Sequence, residues 1–166
     1  MEVSMAVIMD CNNAIGNGHP KGYFPCFIKN HLKRLKKICT RKIKITGRKS
    51  FEKRNVWEAP GYDLIISKSG YHNKKGSTFL DLKNCLHVCE LLDMDIIFLG
   101  GESIFTQGIE YCDKLYVTQV PLAIENPTCF FPKIDPNEWK LVKEQKGVKD
   151  LNNRSDYVFL DYERIV

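Results

Sequence analysis

The apolar run Ile96-Ile97-Phe98-Leu99 leads straight into the glycine pair Gly100-Gly101 and then into Glu102-Ser103-Ile104-Phe105, a strand, a turn and a helix start in ten residues. Glycines let backbone N–H groups approach an anion closely. The amides and positive dipole end of a following helix favour negative charge there, so the junction is a candidate phosphate site. Ile43-Lys44-Ile45-Thr46-Gly47-Arg48-Lys49-Ser50 repeats the pattern, with two cations just past its glycine. Two such junctions on parallel strands suggest a dinucleotide, which has two phosphate-bearing ends to hold.

Composition narrows the class of protein that carries them. The chain has 166 residues, 43% hydrophobic and 11% aromatic, enough for one core and one domain spanning 1–166. No run approaches the length of a membrane span, and MEVSMAVIMDCNN lacks the basic start and apolar block of a secretion signal, so a cytoplasmic protein is expected. Seven cysteines, an odd number, fit free thiols better than a disulfide framework. Cys85 and Cys89 have helical spacing, but with Leu82 and Leu86 they read as an apolar stripe rather than metal ligands. The net charge of +5 is concentrated between Lys29 and Lys49. Lysines at helical spacing usually form a solvated face, and no aromatic residues are interleaved for base stacking, so nucleic acid is a minor reading beside a small-molecule substrate.

The elements that must position these junctions follow from periodicity. Residues 5–9 predict a strand, and the Gly-, Pro- and Asn-rich stretch 14–25 predicts a long loop. Ile28, His31, Leu32, Leu35 and Cys39 recur at helical intervals and place a helix over about 27–38, with His31 on or beside its buried stripe. Strands are expected at 43–46, 64–67, 78–80, 95–99 and 115–120. Helices are expected at 50–54, from the N-cap Asp81 to 92, and from the glycine pair to 108. Residues 139–144 and 156–162, parted by Asn152-Asn153, read as an antiparallel hairpin. The alternation predicts an α/β fold: a three-layer α/β/α sandwich on a mixed, mostly parallel sheet closed by the C-terminal hairpin, with ligands at the carboxyl ends of the central strands.

In this order the motifs resemble the dihydrofolate reductase family over nearly the whole chain. The similar blocks are Asn13-Ala14-Ile15-Gly16, Thr46-Gly47-Arg48-Lys49-Ser50-Phe51-Glu52, Ala59-Pro60-Gly61 with Leu64-Ile65-Ile66-Ser67, Leu99-Gly100-Gly101-Glu102-Ser103-Ile104-Phe105, Asp113-Lys114-Leu115-Tyr116-Val117-Thr118, and Glu125-Asn126-Pro127-Thr128-Cys129-Phe130-Phe131-Pro132. The resemblance implies hydride transfer from NADPH to a pterin such as dihydrofolate, and a monomer is expected. It puts Gly47, Arg48, Lys49, Ser50, Ser67 and Lys68 at the cofactor's phosphates, and Gly100, Gly101, Glu102, Ser103 and Ile104 at its pyrophosphate turn. Ile8, Ile15 and Gly16 also belong to the implied cofactor site, and Phe105 stands beside the nicotinamide where the family usually has Tyr. Arginine and lysine at a 2′-phosphate would favour NADPH over NADH.

The implied substrate site departs from the family. Its members carry an Asp or Glu on the first helix that binds the pterin amino group and promotes ring protonation. Here that position falls on His31, or on Asn30 with a shift of one residue. An imidazolium could donate a proton near neutral pH but offers no paired carboxylate oxygens. Leu32 and Leu35 are the implied apolar contacts, and Tyr23, or Pro25, stands near a family Trp that closes over the ring. Thr128 is expected to hydrogen-bond the residue at the acid position. Tyr62 replaces the arginine that grips the folate carboxylate, exchanging a charged fork for one hydroxyl. Three readings therefore stay open: a divergent dihydrofolate reductase, a same-fold NADPH reductase for another small substrate, and a silent homologue serving as a binding or structural protein through its basic helix.

Overall fold

Runs rich in β-branched and apolar residues that are buried on both faces belong in the middle of a parallel sheet, and Val3–Met9 (β1) takes that place. It pairs in parallel with Ile96–Phe98 (β6) on one side and Lys114–Gln119 (β7) on the other. The computed structural model describes residues 1–17, 24–53, 61–71 and 76–166. Its remaining elements, in chain order, are Ala14–Gly16 (β2), Lys29–Cys39 (α1), Ile43–Gly47 (β3), Arg48–Lys53 (α2), Asp63–Ile66 (β4), Gly76–Phe79 (β5), Leu82–Leu92 (α3), Glu102–Gly108 (α4), a 3-10 turn Ile109–Tyr111, Cys129–Phe130 (β8), Trp139–Gly147 (β9) and Tyr157–Arg164 (β10).

The main sheet has the order β5-β4-β3-β6-β1-β7-β10-β9. Pairing is parallel from β5 to β7 and antiparallel from β7 through β10 to β9, as the alternation and terminal hairpin predict. Alternate side chains leave the sheet on opposite faces. On one face Met5, Ile43, Ile45 and Phe98 pack with Leu82, Cys85 and Cys89 of α3 and Ile104 and Phe105 of α4. On the other, Ala6 and Ile97 meet Leu35 and Cys39 of α1. These are the three expected layers. The cysteine stripe of α3 is core, all seven cysteines are free, and the described residues hold no cluster able to bind a metal. No described helix is long and apolar enough to cross a membrane.

Local sequence sets most boundaries. Asp81 caps α3, its Oδ1 accepting from the Asn84 amide at 2.8 Å. Lys36 and Lys37 favour the negative end of the α1 dipole, and Lys29, Lys33, Lys36 and Lys37 are exposed, the solvated face expected of them. The N-cap position of α1, Ile28, has no capping side chain. Its amides are satisfied from far away in the chain: Lys29 N donates to Asn152 O at 3.2 Å, and Asn30 N to Asn153 Oδ1 at 3.0 Å.

The predicted loop at 14–25 needs correction at its start. Residues 14–16 form β2, which pairs with β8 in a separate two-stranded ribbon. A three-residue strand has too little periodicity to show in sequence, and its partner lies more than a hundred residues away. Buried Asp10 holds the ribbon's base, its Oδ1 accepting from Asn12 N and Ala14 N and its Oδ2 from Ile124 N, all within 2.8 Å. The helix expected at 50–54 starts earlier, at Arg48, directly after β3.

Candidate active site

The two glycine junctions stand side by side because β3 and β6 are neighbours in the sheet. Gly47 N donates to Gly100 O at 2.8 Å. Gly100 has φ +105°, and an added Cβ would meet the Phe105 ring at 2.9 Å, so only glycine fits. The Gly100–Gly101 peptide is cis. At Gly101 a Cβ would meet Ser50 Oγ at 2.9 Å, so the missing side chain lets the Ser50 hydroxyl of α2 lie close against the glycine turn. Arg48, Lys49 and Lys68 bring cations to the ends of β3 and β4. Arg48 pairs with Glu52 at 3.5 Å, and Ser67 Oγ lies 3.0 Å from Ser69 Oγ. Glu102 Oε1 accepts from Phe130 N at 3.1 Å, tying the ribbon to the glycine turn. A glycine cradle flanked by hydroxyls and cations fits a phosphate-bearing cofactor.

Between α1 and α2, over the carboxyl ends of β1, β3 and β6, lies a cleft of about 560 Å³. It brings together Ile8, Ile15, Ser50, Gly101 and Phe105 from the expected cofactor set with His31, Leu32 and Leu35 from the expected substrate set. Phe105 packs edge-on against Phe131, with ring centroids 5.0 Å apart. Gly16, Gly47, Arg48, Lys49, Ser67, Lys68, Gly100, Glu102, Ser103 and Ile104 surround the glycine junctions or neighbouring strand ends without lining the cleft. Tyr23 lies outside the described residues.

His31 lies in the cleft, and its Nδ1 is 2.8 Å from Thr118 Oγ1. Asn30 turns away, its Nδ2 donating to the Tyr157 hydroxyl at 2.5 Å, and of the two residues only His31 lines the cleft. Burial, with Arg34 nearby as a second cause, pushes the His31 imidazole down to about 4. At neutral pH His31 is therefore uncharged, which corrects the expectation of an imidazolium donor. Arg34 is itself held by Asp161 and lies over the Phe159 ring at 4.4 Å.

Two further expectations are corrected. Thr128 is exposed in the β2–β8 ribbon, its Oγ1 3.7 Å from Cys129 Sγ, and the partner of His31 is Thr118. The alternation of β7, with Tyr116 and Thr118 on the α1 face, was the signal that could have identified it. Tyr62 is 73% exposed and does not line the cleft. The cations that do are Lys53 and Arg154, the latter brought in by a hydrogen bond from its own N–H to Phe27 O at 2.9 Å. Sequence reasoning also missed Phe24, Thr46 and Leu99 as lining residues. No carboxylate is among the described residues of the lining.

The layered sheet, the paired glycine junctions and a cleft beneath the first helix define a nucleotide-dependent oxidoreductase of α/β class, and comparison with known proteins agrees. The dihydrofolate reductase family model matches residues 2–164. The chain is 31% identical over 163 residues to the dihydrofolate reductase of Bacillus subtilis (strain 168), covering 98% of this chain and 94% of that one. It is 28% identical to that of Staphylococcus haemolyticus, covering 99% and 97%. A solved dihydrofolate reductase from Enterococcus faecalis, complexed with NADP(H), superposes with a TM-score of 0.88 at 23% identity, covering 99% of this chain and 97% of that one. The chain belongs to the dihydrofolate reductase family, whose members are NADPH-dependent oxidoreductases.

Proposed function

We propose that this protein reduces dihydrofolate to tetrahydrofolate with NADPH, as a cytoplasmic monomer acting on small molecules. The observation that carries the reading is the cleft itself, which puts Ile8, Ile15 and Phe105 in one cavity with the first-helix residues His31, Leu32 and Leu35. Bound NADPH supplies the hydride. Arg48, Lys49, Ser50, Ser67 and Lys68 would hold its phosphates, and the glycine turn at Gly100-Gly101 would contribute backbone amides to the pyrophosphate. Leu32 and Leu35 press on one face of the substrate ring and keep water from the reacting carbon.

His31 does less than a carboxylate would. In the tautomer whose Nδ1–H donates to Thr118 Oγ1, Nε2 presents one lone pair, which accepts one hydrogen bond from the pterin amino group where a carboxylate accepts two. The N–H of the neutral ring is far too weak an acid to protonate the ring nitrogen, so that proton comes from water. Lys53 and Arg154 supply the positive charge for a substrate carboxylate in place of Tyr62. Steady-state oxidation of NADPH with dihydrofolate tests the reading: turnover that vanishes with the His31→Leu substitution supports it, and tight NADPH binding without turnover sinks it. The second reading, a reductase for another small substrate, is favoured by one observation, the uncharged imidazole in place of the acid.

A further inference from the structure

Thr46 ends the apolar part of β3, one residue before Gly47, and is 1% exposed. Its Oγ1 is the one buried side-chain oxygen or nitrogen, among the described residues, without a hydrogen-bond partner. Buried polar groups are nearly always satisfied, so an orphaned hydroxyl calls for an explanation. Packing gives none: valine has the same shape, an equal strand preference and no oxygen to desolvate.

The position of Thr46 suggests what the oxygen is for. Ile43 and Ile45 point to the α3 and α4 face of the sheet, so alternation sends Thr46 to the α1 face, where it lines the cleft with Leu99 and Ala6. Ser50 and Lys53, four and seven residues on, line the same cleft. This wall of two hydroxyls and an ammonium faces the apolar residues Leu32 and Leu35 of α1. A turn of about 120° about χ1 exchanges the hydroxyl and methyl of a threonine with little change of volume, which would bring Oγ1 to the cavity.

We propose that Thr46 is a ligand-binding residue whose hydroxyl, orphaned in the protein alone, hydrogen-bonds a carboxamide of the small molecule in the cleft. A threonine hydroxyl both donates and accepts, which suits the C=O and N–H of an amide. A neutral amide also loses less than a charge on entering a buried floor. The inference rests on the reductase reading, which provides two carboxamides, one on the nicotinamide of the cofactor and one joining the aromatic ring of folate to its glutamate.

The test uses the full chain and the variants Thr46→Val and Thr46→Ser. Thermal unfolding of each is followed alone, and dissociation constants are measured for NADP⁺ and folic acid. Each ligand has a counterpart that lacks the carboxamide in question: the dinucleotide with nicotinic acid in place of nicotinamide, and pteroic acid, which keeps the pterin lactam but has no benzamide. Thr46→Val is expected to be at least as stable as the unmodified protein, because it removes an unsatisfied group, yet to bind one of the two amide ligands about five- to tenfold more weakly. Its counterpart should change less than twofold, and Thr46→Ser should keep the affinity. A loss with NADP⁺ assigns the nicotinamide amide, and a loss with folic acid the benzamide. The proposal falls if Thr46→Val changes neither affinity, if it weakens a ligand and its counterpart alike, or if it lowers stability, which would show that the hydroxyl already has a partner. If the unmodified protein binds neither NADP⁺ nor folic acid, the reductase reading falls with it. If it binds both and only the variant fails to respond, the Thr46 assignment alone is lost.

Discussion

The Thr118 hydroxyl lies 2.8 Å from Nδ1 of His31, joining β7 to α1 at the edge of the cleft. A hydrogen bond at Nδ1 fixes the ring's orientation and decides what Nε2 offers a ligand. Thr118→Val is expected to reduce kcat/KM about tenfold by freeing the imidazole, while Thr128→Val stays within twofold. Steady-state kinetics on the pair checks this. Equal effects would mean that the Thr118 contact does not organise the site.

Stability should fall with acid through His31. Its pKa is about 4 in the folded protein and near 6.5 when unfolded. Between these values the unfolded chain binds a proton that the folded one refuses, so stability is fully present above pH 6.5 and declines as pH drops toward 4. The loss approaches about 3 kcal/mol at the lower limit. Urea unfolding of the unmodified protein and of His31→Gln across this window measures it. The difference between them should shrink or reverse as pH falls, and parallel curves would refute the assignment.

Arg34 contributes to holding His31 neutral. Replacing it with methionine removes a positive charge and leaves Asp161 unpaired, and both changes favour the imidazolium. The His31 ring protons, followed by NMR titration, should show a midpoint raised by about one pH unit. An unchanged midpoint would mean that burial alone keeps the ring neutral.

The cofactor's phosphate selectivity is testable without substrate. Arg48, Lys49 and Lys68 are exposed to differing degrees, so each contact with a 2′-phosphate is screened by solvent. Calorimetry should nevertheless show NADPH binding about tenfold or more tightly than NADH, with Arg48→Gln narrowing the gap. Equal affinities would remove the assignment of these residues.

The cap on α1 makes the last prediction. Asn153 is 1% exposed and gives its Oδ1 to Asn30 N, while its own N–H and Nδ2 donate to Asp150 Oδ1 at 2.9 and 3.0 Å. Asn153→Ala leaves a buried helix-end amide without a partner and is expected to cost about 1–2 kcal/mol in urea unfolding. Because His31 and Arg154 depend on the same loop, substrate KM should rise with it. A variant as stable as the parent would show that water replaces the cap.

Where local sequence alone decides the structure, it could be read. The glycine junctions, the Asp81 cap, the Leu82-Cys85-Cys89 stripe and the hairpin around Asn152-Asn153 all rest on residues close in the chain, and each is found in the fold. The β2–β8 ribbon and the loop-borne cap of α1 rest on partners far away, so neither left a local signal. In the site, periodicity put His31 in the cleft. Its charge state was illegible because burial and Arg34 act only once the fold exists. The motif points to Thr128, whereas the hydroxyl beside His31 is that of Thr118, because β7 aims it at α1.

The bond between Asn30 and Asn153 spans 123 residues, and this has a consequence for the chain as it is synthesised. With 11 residues, α1 is shorter than the roughly 12–15 that an isolated helix needs to persist in water. Its first amides find partners only after the segment 152–153 has left the ribosome. Until then the Leu32, Leu35 and Cys39 stripe has a sheet lacking β10 to pack on. The nascent protein is expected to pass most of its synthesis with the cleft unformed and apolar surface exposed to chaperones, acquiring its reductase site in one late step.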